Sequence, residues 1–278
     1  MILKKISFER GGSGSPPQKS GSPLKIMKKE EIKILVCIPS FDTKIHLETI
    51  SSIISVRDIL LNSGIFVSIM WVRDSLVTRG RNKLVTEFLK SDNTHLFFID
   101  ADISFKPDDF IRVLLFNKPI TCAPYPIKKE TPIEKGDASM GWCLNFPVGK
   151  YNFADNEKGF KKCDYAGTGF MCIKREVFDN IKEKYPSIEY KSDVIAKINE
   201  KMTSHKGDTE YAFFDCGIQG QGILEDKDNT KRYLSEDYYF CALWQQCGGE
   251  IWADISSELK HIGIKVYERP PMLKRKND

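Results

Sequence analysis

The sequence predicts an α/β fold: a mixed, mostly parallel sheet flanked by helices, in one domain behind a disordered N-terminal tail. Three observations predict it. From residue 33 onward, short continuous apolar runs alternate with stretches of helical periodicity, the pattern of strands buried on both faces and joined by crossover helices. The 278 residues, 41% hydrophobic and 29% charged, can bury a large core without disulfides or a structural metal. Residues 11–23 (GGSGSPPQKSGSP) contain eleven Gly, Ser or Pro in thirteen, too little apolar surface to offset the entropy of ordering. The organisation that follows is a tail or linker over 1–30, a catalytic-sized body over 31–264 whose halves meet at 127/128, and a short basic end over 265–278.

The elements follow in order. Residues 33–39 (KILVCIP) read as a buried strand ending at proline. Helical spacing of Ile50, Ile53, Ile54, Leu60 and Leu61 marks a helix over 46–61, stopped by Asn62-Ser63-Gly64. Residues 65–72 (IFVSIMWV) form a second strand. Residues 79–90 form a helix with Leu84, Val85, Phe88 and Leu89 on one face. Residues 96–99 (LFFI) form a third strand, 107–116 a helix with proline in its first turn, and 120–123 a fourth strand. The second half is less regular. Residues 128–164 read as loops and short strands, 166–173 (AGTGFMCI) as a strand entered through glycines, and 174–185 as a helix. Residues 204–229 read as a loop, 236–247 as a helix and 249–254 as a strand, with 259–263 its continuation or a turn. No internal repeat is present.

The net charge of +4 invites a nucleic-acid reading, and its distribution removes that reading. Residues 1–30 carry +5 and residues 265–278 carry +3, so the body between them is mildly acidic at −4. A nucleic-acid groove needs phosphate-neutralising Lys and Arg on one face, which the body does not supply. The basic ends are instead candidates for peripheral contact with membranes or anionic partners. No run reaches the roughly 18 apolar residues of a membrane span, and the start lacks the apolar stretch of a secretory signal. Eight scattered cysteines without a C-x-x-C, several inside apolar runs, indicate reduced thiols and a cytoplasmic setting.

Ligands of α/β sheets sit outside the carboxyl ends of the strands. The residues to inspect are therefore Pro39-Ser40-Phe41, Arg73-Asp74-Ser75, Asp100-Ala101-Asp102 and Pro124-Tyr125-Pro126. The sharpest is Asp100-Ala101-Asp102. In an extended segment, residues i and i+2 face the same side, so the two carboxylates can hold a divalent cation that bridges a diphosphate. Hard oxygen ligands suit Mg2+ or Mn2+. A bare D-x-D is a weak motif, and a second one, Asp226-Lys227-Asp228, sits in a polar loop as a solvated charge cluster. Context separates them: Asp100 directly follows the apolar run LFFI.

LFFIDADISFKPDDF resembles the nucleotide-sugar glycosyltransferases of the GT-A fold, in particular the broad family 2-like group, and implies their Rossmann-like sheet. VCIPSFD at 36–42 is similar to their opening strand and nucleotide-binding turn. Asp74-Ser75 with Arg79-Gly80-Arg81-Asn82 resembles their second-strand acidic residue and the helix start after it. Gly167-Thr168-Gly169-Phe170 resembles the glycine-rich acceptor-side segment, Ser235-Glu236-Asp237 the E-D motif at a helix start, and Leu259-Lys260-His261 the late metal-ligand histidine of some members. The resemblance spans 33–263 in the family's order. It implies nucleotide binding by Pro39, Ser40, Asp74, Arg79, Arg81, Asn82, Asp100, Ala101 and Asp102, with a UDP-sugar or GDP-sugar donor. It implies a Mn2+ or Mg2+ site at Asp100, Asp102 and His261. The acceptor, a hydroxyl of a glycan, lipid or protein, is implied to meet Gly167, Thr168 and Gly169, with Asp215 and Trp142 as further candidates. In inverting members the aspartate at the position of Asp237 deprotonates that hydroxyl, with Glu236 beside it.

Each role has a plainer competitor. Arg79 and Arg81 oppose the dipole at a helix start; contact with an anionic nucleotide or with Asp100 explains them, and so does simple surface exposure. Asp74 serves equally as a turn residue. Glu236 and Asp237 after Ser235 also suit capping and the helix dipole. Of four histidines, His261 alone follows a late strand-like segment. Trp142, Tyr165, Trp244 and Trp252 are candidates for stacking on sugars, with core packing the simpler role for the last two. Two other functions share the plan: a nucleotidyltransferase making sugar nucleotides, and a non-catalytic sugar-nucleotide-binding protein. The turn PSFDTK lacks the glycine-rich basic signature of the former, and no G-x-G-x-x-G supports a Rossmann dehydrogenase.

Overall fold

The computed structural model describes residues 32–128, 141–147, 157–195, 197–199, 201–202, 205–226 and 229–263. The two basic ends and the Lys227-Asp228 part of the second D-x-D lie outside the described residues. The first half runs β1 (Lys33–Ser40), α1 (Leu47–Asn62), β2 (Phe66–Arg73), α2 (Val77–Lys90), β3 (His95–Ile99), β4 (Ile103–Ser104), α3 (Pro107–Leu115) and β5 (Ile120–Cys122). It continues with β6 (Leu144–Asn145), β7 (Phe160–Cys163), β8 (Tyr165–Ala166), β9 (Phe170–Lys174), α4 (Arg175–Lys184), β10 (Glu189–Lys191), β11 (Lys197–Ile198) and β12 (Lys201–Met202). The last elements are β13 (Thr209–Tyr211), β14 (Gly217–Ile218), β15 (Tyr233–Leu234), α5 (Glu236–Gln246), β16 (Ile251–Asp254) and β17 (Lys260–His261).

One nine-stranded sheet carries the fold, in the order β12-β11-β2-β1-β3-β9-β5-β16-β7. β1 pairs in parallel with both β2 and β3, and β5 in parallel with β16. β9 lies antiparallel between β3 and β5, so β2, β1, β3, β5 and β16 all point the same way. The sheet is thus mixed, with its central strands largely in one direction. The two halves read from the sequence share it, because β9, β16 and β7 extend the sheet begun by β1, β2 and β3.

Alternation along the strands sorts side chains to the two faces. Leu35 and Cys37 of β1, with Leu96 and Phe98 of β3, join the cluster under α2, α4 and α5, which includes Leu84, Phe88, Phe178 and Phe240. Ile34, Val36 and Ile38, with Phe97 and Ile99, join the opposite cluster with Ile53 and Val56 of α1 and Phe110 of α3. Both faces are covered, which is why these strands read as unbroken apolar runs. Fully burying each such side chain contributes about 1.5–3 kcal/mol.

The second half departs more from the reading. The stretch over 166–173, read as glycines turning into a short strand, does so: after β8 comes a turn at Gly167-Thr168-Gly169, then β9. The stretch read as a loop over 204–229 contains β13 and β14, which pair with β10 and β15. These pieces are two or three residues long and half polar, so no hydrophobic period marks them. A buried ion pair fixes the β10–β13 ribbon to α2: Lys83 Nζ lies 2.9 Å from Glu210 Oε1, both side chains 1% exposed. Ser192 Oγ and the Val194 carbonyl also accept from Lys83, and the Tyr190 hydroxyl donates to Glu210 at 2.6 Å. All eight cysteines are free. Among the described residues no helix is long and apolar enough to cross a membrane.

Candidate functional site

A cleft of about 890 Å³ opens at the carboxyl ends of β1, β2 and β3. Its walls are the end of β1 and the turn after it, from Pro39 to His46, the turn after β2 from Asp74 to Leu76, and Val77, Gly80 and Arg81 of α2. Asp100-Ala101-Asp102 completes it. Main-chain bonds tie these walls together: Asp74 N–H donates to the Ser40 carbonyl at 3.1 Å, and His46 N–H to the Ala101 carbonyl at 2.9 Å. Asp100 N–H donates to the Gly169 carbonyl at 2.9 Å, bringing the glycine-rich turn under the same floor.

Asp100-Ala101-Asp102 is a turn, closed by Ile103 N–H donating to the Asp100 carbonyl at 3.1 Å, and not the extended segment the sequence suggests. Both carboxylates line the cleft, but they engage different partners. Asp100 accepts from Arg81 at 2.9 Å. Arg81 is 3% exposed, stacks over Phe98, and also lies 3.6 Å from Glu236. Burial works against its charge, yet Asp100 and Glu236 keep the guanidinium ionised. Its Nε and Nη1 make no hydrogen bond. Burial pushes the Glu236 carboxyl upward, against the pull of Arg81.

Asp102 points to the other side. Its Oδ2 lies 2.6 Å from Lys128 Nζ and 3.5 Å from His261 Nε2. Burial disfavours the Asp102 charge, but the hydrogen bonds of His261 and Lys128 prevail and hold it at about 2. β17 runs antiparallel to β4, with His261 opposite Ile103, which carries the histidine back to the turn. His261 Nδ1 lies 2.8 Å from the Pro126 carbonyl. Donation from Nδ1–H to that carbonyl orients the ring with Nε2 toward Asp102, the arrangement that positions metal-ligating histidines. Asp102 and His261 therefore suit a Mg2+ or Mn2+ ion that takes its remaining ligands from phosphate and water. Asp100, the third expected ligand, faces Arg81, and no group of three His, Cys, Asp or Glu side chains surrounds one point among the described residues.

The remaining donor-side residues divide. Pro39 and Ser40 end β1 opposite Val72 and Arg73 and line the cleft. Asp74 and Arg79 form a two-pronged pair, Nε to Oδ2 at 2.7 Å and Nη2 to Oδ1 at 2.6 Å, which explains an arginine in the first turn of α2. Asn82 turns away from the cleft: its Nδ2 donates to the Phe214 carbonyl and its Oδ1 accepts from Phe214 N–H, both at 2.9 Å. Its amide is spent on the 213–215 loop, which is a structural role and leaves no group for a nucleotide.

On the acceptor side, Gly167 and Gly169 are spaces for Tyr125 and Asp100. A Cβ on Gly167 would lie 2.4 Å from the Tyr125 hydroxyl, and one on Gly169 2.7 Å from both that hydroxyl and Asp100 Oδ2. Thr168 is buried, with its hydroxyl unpartnered. Trp142 is half-buried and bridges Pro126, whose carbonyl holds His261. Asp215 stays on the exposed loop beyond Phe214, accepting from Cys216 N–H at 2.8 Å. Asp237 accepts from the Ser235 hydroxyl and from Tyr238 N–H. Burial pushes the Cys143 thiol up to about 11, and the charges of Asp237, Asp100 and Asp102 act on it in the same direction, but neither Asp237 nor Glu236 lines the cleft.

Sequence reasoning missed Tyr125 and Lys128. Tyr125 lies in the stretch flagged at the end of the fourth strand, so its position was a signal. Lys128 had none, since one lysine in a polar run is indistinguishable from its neighbours.

No family model matches the chain, and no curated protein matches it. Among solved structures it is similar to A197 from STIV, at 16% identity and a TM-score of 0.42, over 87% of this chain and 100% of that one. It is similar to GalNAc-T7, crystallised with UDP, GalNAc and Mn2+, at 12% identity and a TM-score of 0.46, over 84% of this chain and 44% of that one. A third is 4-diphosphocytidyl-2C-methyl-D-erythritolsynthase from Anaerococcus prevotii DSM 20548, at 10% identity and a TM-score of 0.30, over 59% and 81%. All three likenesses are weak, and the chain spans less than half of the GalNAc-T7 chain.

Proposed function

We propose that the chain is a metal-dependent glycosyltransferase of the GT-A type, which moves a sugar from a nucleoside-diphosphate sugar to an acceptor hydroxyl. The observation that carries this reading is the meeting, at one strand-end cleft, of Asp102 with His261 beside it and of Asp100 with Arg81, whose second carboxylate neighbour, Glu236, opens the helix that carries Asp237. The base and ribose of the donor would lie along Pro39, Ser40 and the Asp74–Arg79 pair, with the diphosphate toward Asp102. Asp102 and His261 would hold Mn2+ or Mg2+, which when bound supplies a Lewis acid beside the departing diphosphate.

The chain's own residues do the rest. Arg81 holds Asp100 in place and adds positive charge behind the reacting centre. Glu236 anchors Arg81 from the other side. Asp237 takes the proton of the acceptor hydroxyl as that oxygen attacks the anomeric carbon and the bond to the diphosphate breaks. Tyr125 and the two glycines set the floor on which these carboxylates rest.

The test is a melting experiment followed by turnover. Mn2+ with UDP or GDP is expected to raise the melting temperature, and Asp102→Ala to abolish the gain. No shift with any nucleoside diphosphate would sink the donor site. Asp237→Asn is expected to remove transfer and keep nucleotide binding, and comparable turnover in that variant would refute the base assignment.

A further inference from the structure

We propose that Lys128 is an exchangeable counter-ion: it holds Asp102 until the donor arrives, then yields that carboxylate to the divalent cation and moves to the donor's diphosphate. The proposal rests on the donor-site reading above and concerns a residue that reading does not use. Lys128 Nζ, at 2.6 Å, and His261 Nε2, at 3.5 Å, address the same oxygen, Asp102 Oδ2. An ion bound between Asp102 and His261 would sit beside that ammonium, and two cations on one oxygen repel. One of them must leave, and Lys128 is the one built to move. Its side chain is 43% exposed, and its head is a point charge on a flexible four-carbon stem.

The stem is guided. It runs against Gly263, where an added Cβ would lie 3.2 Å from Lys128 Cδ and 3.4 Å from Cε. The glycine two residues after His261 therefore makes room for the lysine beside the histidine's own ligand position. Arg81 offers no such freedom: it is 3% exposed and wedged between Asp100 and Glu236.

Charge accounting points the same way. Asp102 with Lys128 is neutral, and Asp102 with a divalent cation carries one surplus positive charge. The freed ammonium adds a second, and the diphosphate of a sugar nucleotide brings two negative charges, so these four groups together are again neutral. When the sugar leaves, the diphosphate gains negative charge, and a lysine already beside it stabilises that change without reorganisation.

The test uses the full chain with Mn2+ alone, read by the resonance of free Mn2+, and with UDP and GDP by calorimetry. Removing the competing ammonium in Lys128→Met is expected to tighten Mn2+ binding without nucleotide by roughly threefold to fivefold, the scale of a half-exposed ion pair. The same variant is expected to bind the nucleoside diphosphate about tenfold more weakly at saturating Mn2+, the loss of one charge-assisted contact, and Lys128→Arg to restore most of it. A melting curve for each variant checks folding, and Lys128→Gln repeats both titrations. Unchanged or weaker Mn2+ binding in both neutral variants overturns the exchange. So does wild-type nucleotide binding that is equal in Mn2+ and in EDTA but lost in Lys128→Met, which would make the lysine a substitute for the metal. Absence of nucleotide binding by the wild type, with or without Mn2+, refutes the donor-site reading itself, and the Mn2+ titration then still judges the ion pair separately.

Discussion

Replacing Gly169 by alanine probes the floor of the cleft at its tightest point. The new Cβ would stand 2.7 Å from Asp100 Oδ2, 2.7 Å from the Tyr125 hydroxyl and 2.8 Å from Tyr125 Cζ. Ordinary contact needs about 0.7 Å more on both sides, and neither side yields easily. Tyr125 is 6% exposed, and its hydroxyl accepts from Gly169 N–H at 3.2 Å. Asp100 is tied to the Gly169 carbonyl through its own N–H and to Arg81 through its side chain. Overpacking of this kind costs about 2–3 kcal/mol. Alanine returns about 0.4–1 kcal/mol by restricting the unfolded chain, since Gly169 does not need a positive φ. The net expectation is a loss of about 1–2.5 kcal/mol in denaturant unfolding followed by tryptophan fluorescence. Gly80→Ala is the internal contrast. Its Cβ would meet Asp74 Cβ at 3.4 Å and Val72 Cγ1 at 3.5 Å, ordinary contacts, within helix α2. That variant should gain about 0.5–1 kcal/mol. If Gly169→Ala is as stable as the parent, or the two variants shift alike, the close packing of Asp100, Tyr125 and the glycine turn is refuted.

Asp102, held at about 2, stabilises the fold above the range near pH 4 where unfolded aspartate titrates, and that contribution is lost as pH falls through about 2. Asp102→Asn should therefore cost about 1 kcal/mol at neutral pH, allowing for partial exposure, and nothing once the pH is below both values; a constant difference across an acid titration would contradict this. Lys83→Met should cost about 3–5 kcal/mol by stranding Glu210, while the double variant Lys83→Met with Glu210→Leu should recover most of it, as chemical denaturation will show. Asn82→Ala removes both bonds to Phe214 and should cost about 2 kcal/mol while leaving nucleoside-diphosphate affinity unchanged in calorimetry; a selective loss of affinity without loss of stability would restore a nucleotide contact to Asn82.

The legible part of this chain was the part written in local periods. β1 and β3 stood out because both of their faces are buried, β2 because its run is mostly apolar even where it is partly exposed, and α1 and α2 because one face is buried. β10 to β15 did not, because strands of two or three half-polar residues leave no period to detect. Asp100 and Asp102 were found from the apolar strand before them, yet their orientation was misjudged: alternation assumes an extended backbone, and the Asp100 carbonyl closes a turn instead. Arg81 was flagged by a local anomaly, a cation at a helix start, but its partners lie 19 and 155 positions away. Lys128 carried no local anomaly at all.

From the sequence by itself came the alternation of apolar strands and helices, the strand ends where a ligand belongs, the acidic body between basic ends, and the residue types of the cleft. These follow from composition and from hydrophobic spacing, which each segment displays alone. The tertiary structure decided the insertion of β9 between β3 and β5, the return of β17 to β4, and which cation neutralises which carboxylate: Arg81 for Asp100, Lys128 for Asp102, Arg79 for Asp74. Those choices depend on strand order and on distances of a few ångströms between residues far apart in the chain. No local pattern encodes them, because Coulomb attraction and close packing act on positions in space and not on positions in sequence.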